Sequence, residues 1–179
     1  MNELPSAWLK PSEALNRPLN RQVDDRIHGL THVQVNRRLG FHVGNIGLLI
    51  GERAISELRE WVTLCPIPNT AHWLMGIINL RGNLIPVFDL NLLLGLERTA
   101  EKKKRMLLIL GQGEEAGGIV IDDLPIHIAL TALDRLETIP PLPAAIKPFA
   151  TVAYEKNGEV WFNFEHKGFF ESLATRVAV

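Results

Sequence analysis

The chain has 179 residues, 46% hydrophobic and 22% charged, enough apolar content to build a sizeable core in one domain or two small ones. Its 19 basic and 20 acidic residues give a net charge of −1, which argues against a nucleic-acid groove, where clustered Lys and Arg must meet phosphates. The single cysteine, Cys65, cannot form an intrachain disulfide and fits a reducing compartment.

Residues 1–39 read as an N-terminal extension. They hold Pro5, Pro11 and Pro18, and Ser12-Glu13-Ala14-Leu15 has the composition of a short helix start. Arg17, Arg21, Arg26, Arg37 and Arg38 make this arm locally basic. Its first residues, Met1-Asn2-Glu3-Leu4-Pro5, carry an acid and lack the basic-then-apolar pattern of a signal peptide, so the expectation is a cytoplasmic protein. Residues 41–50 then read as a strand, a turn at Gly44-Asn45 and a second strand. Residues 63–68 carry Pro66 and Pro68 and read as an extended segment. Within it Cys65 has no basic neighbour to lower its pKa and is expected to be a buried, inert thiol.

The clearest local signal follows. Gly76-Ile77-Ile78-Asn79-Leu80 and Leu84-Ile85-Pro86-Val87-Phe88 flank Arg81-Gly82-Asn83, which predicts a β-hairpin turning at a glycine. Pro86 cannot donate to a ladder, so its nitrogen must face an edge or a bulge. Asp89 before Leu90-Asn91-Leu92-Leu93-Leu94-Gly95 predicts a short helix with an N-cap and a glycine stop. The apolar run 84–96 is broken by Pro86, Asp89, Asn91 and Gly95, and falls short of the roughly 20 residues that a bilayer span requires. Lys102-Lys103-Lys104-Arg105 reads as a solvated connector. Beyond it come strands at 106–110 and 119–121 around a glycine-rich loop, an extended segment at 138–143, and a hairpin turning at Asn157-Gly158.

These elements repeat. Setting Gly82 on Gly158 places Phe88 on Phe164, Asp89 on Glu165 and Leu92-Leu93-Leu94 on Gly168-Phe169-Phe170. Each copy opens with a strand, a glycine turn and a strand, and continues with a proline-marked segment before its hairpin. The reading is a duplication: two all-β modules of five strands each, at 40–97 and 98–179, with short helices.

No enzyme chemistry declares itself. Gly111-Gln112-Gly113-Glu114-Glu115-Ala116 matches the dinucleotide fingerprint in letters only, because a strand follows where a helix N-terminus should receive the pyrophosphate. His28 and His32 stand four apart, but Gly29 lies between them and no further ligand pattern supports a metal. Asp89 reads as a cap, and Asp122-Asp123 as the end of a strand. No nucleophile, base and oxyanion donor fall into order, so the expectation is a protein without catalytic residues, metal or cofactor. Arg81 is the odd residue, a guanidinium at a hairpin tip framed by Asn79 and Gly82. Two readings stand: a solvated turn charge, or a donor fork presented to a partner protein.

The stretch Gly76-Ile77-Ile78-Asn79-Leu80-Arg81-Gly82-Asn83-Leu84-Ile85-Pro86-Val87-Phe88-Asp89-Leu90 closely resembles the signature of the CheW family of bacterial chemotaxis coupling proteins. The resemblance covers roughly residues 40–175, and within the family the chain is similar to adaptors with an N-terminal extension, including the PilI type that serves twitching by type IV pili. It implies two pseudo-symmetric five-stranded β-barrels and a non-enzymatic role. It further implies two partners: the regulatory domain of a CheA-type histidine kinase, meeting barrel edges, and the cytoplasmic tips of methyl-accepting chemoreceptors, lying in an apolar groove between the barrels. Arg81, Asn79 and Gly82 are the partner-binding residues it marks, in receptor–kinase arrays at the inner membrane, without direct membrane insertion. The second copy departs from the pattern, with Lys156, Phe162 and Glu165 where the first has Arg81, Pro86 and Asp89, so no role transfers to it. Two rivals belong to other classes. A nucleic-acid-binding barrel calls for a basic face with stacking aromatics, against a pI near 6.6 and 7% aromatic residues. A small ligand-binding barrel calls for a concave site with convergent polar groups.

Overall fold

The computed structural model describes residues 35–97 and 105–177. Among these residues the strands are β1 (Asn36–Val43), β2 (Ile46–Ile50), β3 (Ser56–Glu60), β4 (Leu74–Leu80), β5 (Asn83–Phe88), β6 (Met106–Leu110), β7 (Gly117–Ile121), β8 (Ile126–Leu130), β9 (Ala153–Lys156) and β10 (Glu159–Phe164). Helix α1 (Leu90–Leu94) follows the first hairpin and α2 (His166–Ala174) the second. The arm and its His28–His32 pair lie outside the described residues, as does most of the lysine-rich connector.

The strands form two five-stranded sheets, A with the order β8-β1-β2-β10-β9 and B with the order β3-β6-β7-β5-β4. Exchanging each strand for its counterpart five places along the chain converts one order into the other. The expected fold class, all-β with short helices and two pseudo-symmetric five-stranded units, is therefore what the molecule has. The two sheets do not follow the sequence division at 97/98. Sheet A takes β1 and β2 from the first copy and β8, β9 and β10 from the second, while sheet B takes the complementary set. That boundary separates the two copies in sequence but cuts through both sheets. The swap is made at two parallel pairs, β10 with β2 and β5 with β7. Both copies offer the same strand pattern, so periodicity cannot say which copy's hairpin completes which sheet. The extension also ends earlier than 39, because β1 starts at Asn36. Arg38 belongs to sheet A: its Nε donates to the Ile50 carbonyl at 2.9 Å and its guanidinium bonds to Asn163.

Strand alternation distributes the apolar side chains among three clusters. In β6, Leu107 and Ile109 face the interior of sheet B, with Ile78, Ile85 and Val87. Leu108 and Leu110 face a central cluster shared with Leu48, Ile50 and Phe164 of sheet A. Leu49 joins Ile128, Leu130 and Trp161 inside sheet A. Such strands, buried on both faces, read as unbroken apolar runs. Helix α2 seals the central cluster. Its Phe169 meets Phe164 of sheet A at 5.1 Å between ring centroids, and its Phe170 stacks on Phe88 of sheet B at 5.5 Å. Each fully buried Phe or Leu of this kind contributes about 1.5–3 kcal/mol.

Both sheets curl so that their edges are tied. In sheet B, Cys65 and Ile77 exchange backbone hydrogen bonds, both at 2.9 Å, pinning the segment after β3 to β4. Gly76 makes this approach possible: at φ 137° a side chain there would bring its Cβ within 2.4 Å of the Cys65 carbonyl oxygen. In sheet A the segment after β8 is held to β9 in the same way, with Leu136 N donating to the Ala153 carbonyl at 2.9 Å. The pairing puts Cys65 on the outer surface, so the expected buried thiol is an exposed one. Among the described residues no helix is long and apolar enough to cross a membrane.

Candidate functional site

The β4–β5 hairpin turns on Arg81 and Gly82 at φ 53° and 89°, positive at both central positions as a type I′ turn requires. Gly82 adopts this without cost, and its N–H donates to Asn79 Oδ1 at 3.0 Å. Arg81 holds a left-handed backbone against the clash between its Cβ and the following carbonyl, a cost of roughly 1–2 kcal/mol. Its side chain is 75% exposed, and one guanidinium nitrogen lies 3.1 Å from Glu57 of β3. Since β3 and β4 are opposite edges of sheet B, this ion pair reaches across the curl. Leu84 beside the turn is 65% exposed, and Leu58 beside Glu57 is 42% exposed. Arg81, Asn79 and Gly82 thus form one tip, as the sequence suggested. Glu57 was missed: it lies on an edge strand with charges on both faces, and nothing local connects it to a turn so much later in the chain.

The second hairpin turns on Asn157 and Gly158 at φ 54° and 79°, the same geometry with a residue suited to it. Its cation is Lys156, whose Nζ lies 3.0 Å from both Asp134 carboxylate oxygens. Thr131 donates to the same carboxylate from its backbone N–H at 2.6 Å and its hydroxyl at 2.8 Å. The Lys156 hydrogen bond, joined by those from Thr131, holds the Asp134 carboxyl below its ordinary range.

After each hairpin comes a capped helix. Asp89 Oδ1 accepts from Asn91 N at 3.1 Å and Leu92 N at 3.3 Å, and Gly95 ends α1 at φ 64°, as expected. Glu165, the aligned residue, caps α2 by accepting from Gly168 N at 2.8 Å. Alongside α2 runs a groove of about 510 Å³. Leu74, Pro86 and Phe88 of sheet B form one wall, and Phe170 and Ala174 of α2 the other. Glu114, Glu115, Lys167 and Glu171 stand on its rim. Lys167 meets Glu115 at 2.6 Å, which lowers the Glu115 pKa and raises that of Lys167. At the start of α2, burial pushes the His166 pKa below 6.5.

The glycine-rich loop forms a single 3₁₀ turn over Gly113–Glu115 and passes into β7, so no helix N-terminus follows the fingerprint. Among the described residues no group of three or more His, Cys, Asp or Glu is placed to hold a metal ion.

Comparison with known proteins gives one answer at two levels. The family model for a CheW-like domain matches residues 37–174. Protein PilI of Pseudomonas aeruginosa is 26% identical over 141 residues, covering 74% of this chain and 78% of that protein. Chemotaxis protein CheW of Rhizobium meliloti is 26% identical over 97 residues, covering 54% of this chain and 61% of that protein. Among solved structures, the scaffolding protein TtCheW from Thermoanaerobacter tengcongensis superposes with a TM-score of 0.63 at 21% identity, covering 77% of this chain and 94% of that one, a likeness of fold.

Proposed function

The chain belongs to the CheW-like domain family of chemotaxis-type signalling scaffolds, and from that premise we propose that it couples chemoreceptors to a CheA-type histidine kinase through protein contacts alone. The kinase's regulatory domain docks on the sheet B tip, where exposed Arg81 stands three residues before exposed Leu84. The receptor's helical cytoplasmic tip lies in the apolar groove along α2. Assembly takes place in receptor–kinase arrays at the cytoplasmic face of the inner membrane, where many weak contacts act together. Signal passes as a shift of the kinase between states that the bound receptor favours unequally.

One observation carries this reading: Arg81 occupies a backbone conformation that disfavours it, yet its side chain is 75% exposed. A core gains little from such a residue, whereas an interface gains an anchoring guanidinium near an exposed leucine, Leu84. The test is binding of the purified chain to the regulatory domain of each CheA-type kinase in the same organism. Saturable binding to one of them is expected, with Arg81→Asn at least about tenfold weaker at unchanged or slightly higher stability. A well-folded protein that binds none of these domains would sink the coupling role.

A further inference from the structure

We propose that the groove along α2 selects a partner helix whose apolar stripe is flanked by Lys or Arg, and that Glu114 and Glu171 are the residues that read those flanks. This rests on the coupling reading, in which the occupant is the receptor tip, and adds the charge pattern that the occupant must carry.

Three features of the groove lead there. Its sheet wall is floored by Phe88 of β5, which pairs with Leu74 of β4 on one side and Ile119 of β7 on the other. An extended peptide therefore finds no free backbone edge at Phe88 on that floor, and recognition there comes from side chains, as when a helix lays an apolar face into a groove. The volume of about 510 Å³ is too small for a whole helix of about 10–12 Å diameter, but it suits the side chains of one helical stripe. The rim then sets the sign. Of its four charged groups, Lys167 is engaged with Glu115 at 2.6 Å. Glu114, in the 3₁₀ turn before β7, and Glu171, on α2 one helical turn from Lys167 and within reach of its charge, are exposed carboxylates contributed by two different elements of the rim. A helix seated in the groove meets negative charge from both. Basic residues there are attracted, and acidic ones repelled, with the pairs at the rim where salt screens them.

The experiment uses the full chain and two synthetic helical peptides of about 20 residues with the same leucine stripe, one flanked by Lys and one by Glu. Fluorescence anisotropy at low salt should show the Lys-flanked peptide binding about tenfold tighter, the gap closing at high salt. The double substitution Glu114→Lys with Glu171→Lys should reverse the preference. Ala174→Trp, which fills the groove from the exposed side of α2, should weaken binding of the preferred peptide. Equal affinity of the two peptides overturns the inference, as does a preference that survives charge reversal or the Trp substitution. Self-association of the chain that Ala174→Trp abolishes would give the groove to a second copy and overturn it as well. Kinase-domain binding by the unaltered chain is measured in parallel. Its absence would strike the coupling reading, whereas equal peptide binding strikes only the charge selection.

Discussion

The two hairpins answer one structural problem in different ways. Both turn through positive φ at two successive residues, yet one uses Arg81-Gly82 and the other Asn157-Gly158. Asn tolerates the left-handed region and Arg does not. Their ion pairs differ in kind as well. Asp134, with its side chain 16% exposed, holds Lys156 and Thr131 together, whereas Arg81 keeps 75% of its side chain in solvent above Glu57. The strands behind them diverge too. β10 pairs with β2 over four residues, while β5, with Pro86 at the position aligned to Phe162, pairs with β7 over two. Pro86 has no N–H to give to that neighbour, and the ladder begins only at Val87. Duplication supplied two copies of one device. The second is bound into sheet A by Asp134 and a four-residue ladder, and the first has a strained turn residue, a two-residue ladder and an exposed tip.

Gly76 is where the two hairpins differ most in what a side chain would cost. The residue aligned with it in the second copy, Val152, carries a side chain, so the matching position there accommodates a Cβ. Gly76→Ala should therefore cost roughly 3 kcal/mol or more, since it combines a strained backbone with a steric clash. Gly158→Ala, strained but with open space around its Cβ, should cost about 1–2 kcal/mol. Urea denaturation of the two variants checks the order. Similar losses would mean that the Cys65–Ile77 closure has slack.

The ion pairs give the next contrast. Asp134→Ala removes the partner of Lys156 and the acceptor for Thr131, and should lower the urea midpoint clearly. Glu57→Ala releases exposed guanidinium groups to water and should barely move it. Equal effects would place the first copy's tip among the structural contacts.

The helices behind the hairpins differ at their first residues, Leu90 in α1 and His166 in α2. Burial disfavours the charged imidazole, so the unfolded chain takes up the proton more readily than the folded one. Stability is then full above pH 6.5 and declines as the pH falls below it toward the folded value. The depressed Asp134 carboxyl acts lower, its contribution being present above 3.8 and lost as the pH falls through the folded value. His166→Leu, which installs the residue of the first copy, should flatten the decline of the urea midpoint just below pH 6.5 while leaving the acid limb. A slope that persists unchanged would assign it to other groups.

Much of this architecture is legible in the chain. The hairpins, the Asp89 cap and Gly95 stop of α1 and the internal repeat follow from turn residues and apolar periodicity, which act over a few positions, whereas α2 and its Glu165 cap were not read. What escapes is long-range. The exchange of β1–β2 and β6–β7 between sheets leaves no local trace, because each copy's strands satisfy either sheet equally well in pattern. Glu57 meets Arg81 only because sheet B curls, and Cys65 turns outward only because its backbone closes that curl. The groove along α2 joins residues of both copies across the swap, so no single stretch of sequence announces it.

The smallest expected effect on stability is also the most informative. Arg81→Asn gives the first hairpin the turn residue of the second. It relieves a left-handed arginine, a gain of about 1 kcal/mol, and forfeits an exposed ion pair worth about 0–1 kcal/mol. The net change should lie between neutral and about 1 kcal/mol more stable. If the tip is a contact surface, this same substitution weakens kinase binding while the fold holds or improves. Stability and binding then move in opposite directions, which no purely structural role of Arg81 produces. A variant that loses both would put the guanidinium in the structure of sheet B, with the Arg81–Glu57 pair as its seam. A variant that loses neither would leave Arg81 a solvated turn charge and shift the search for the kinase contact to Leu58 and Leu84.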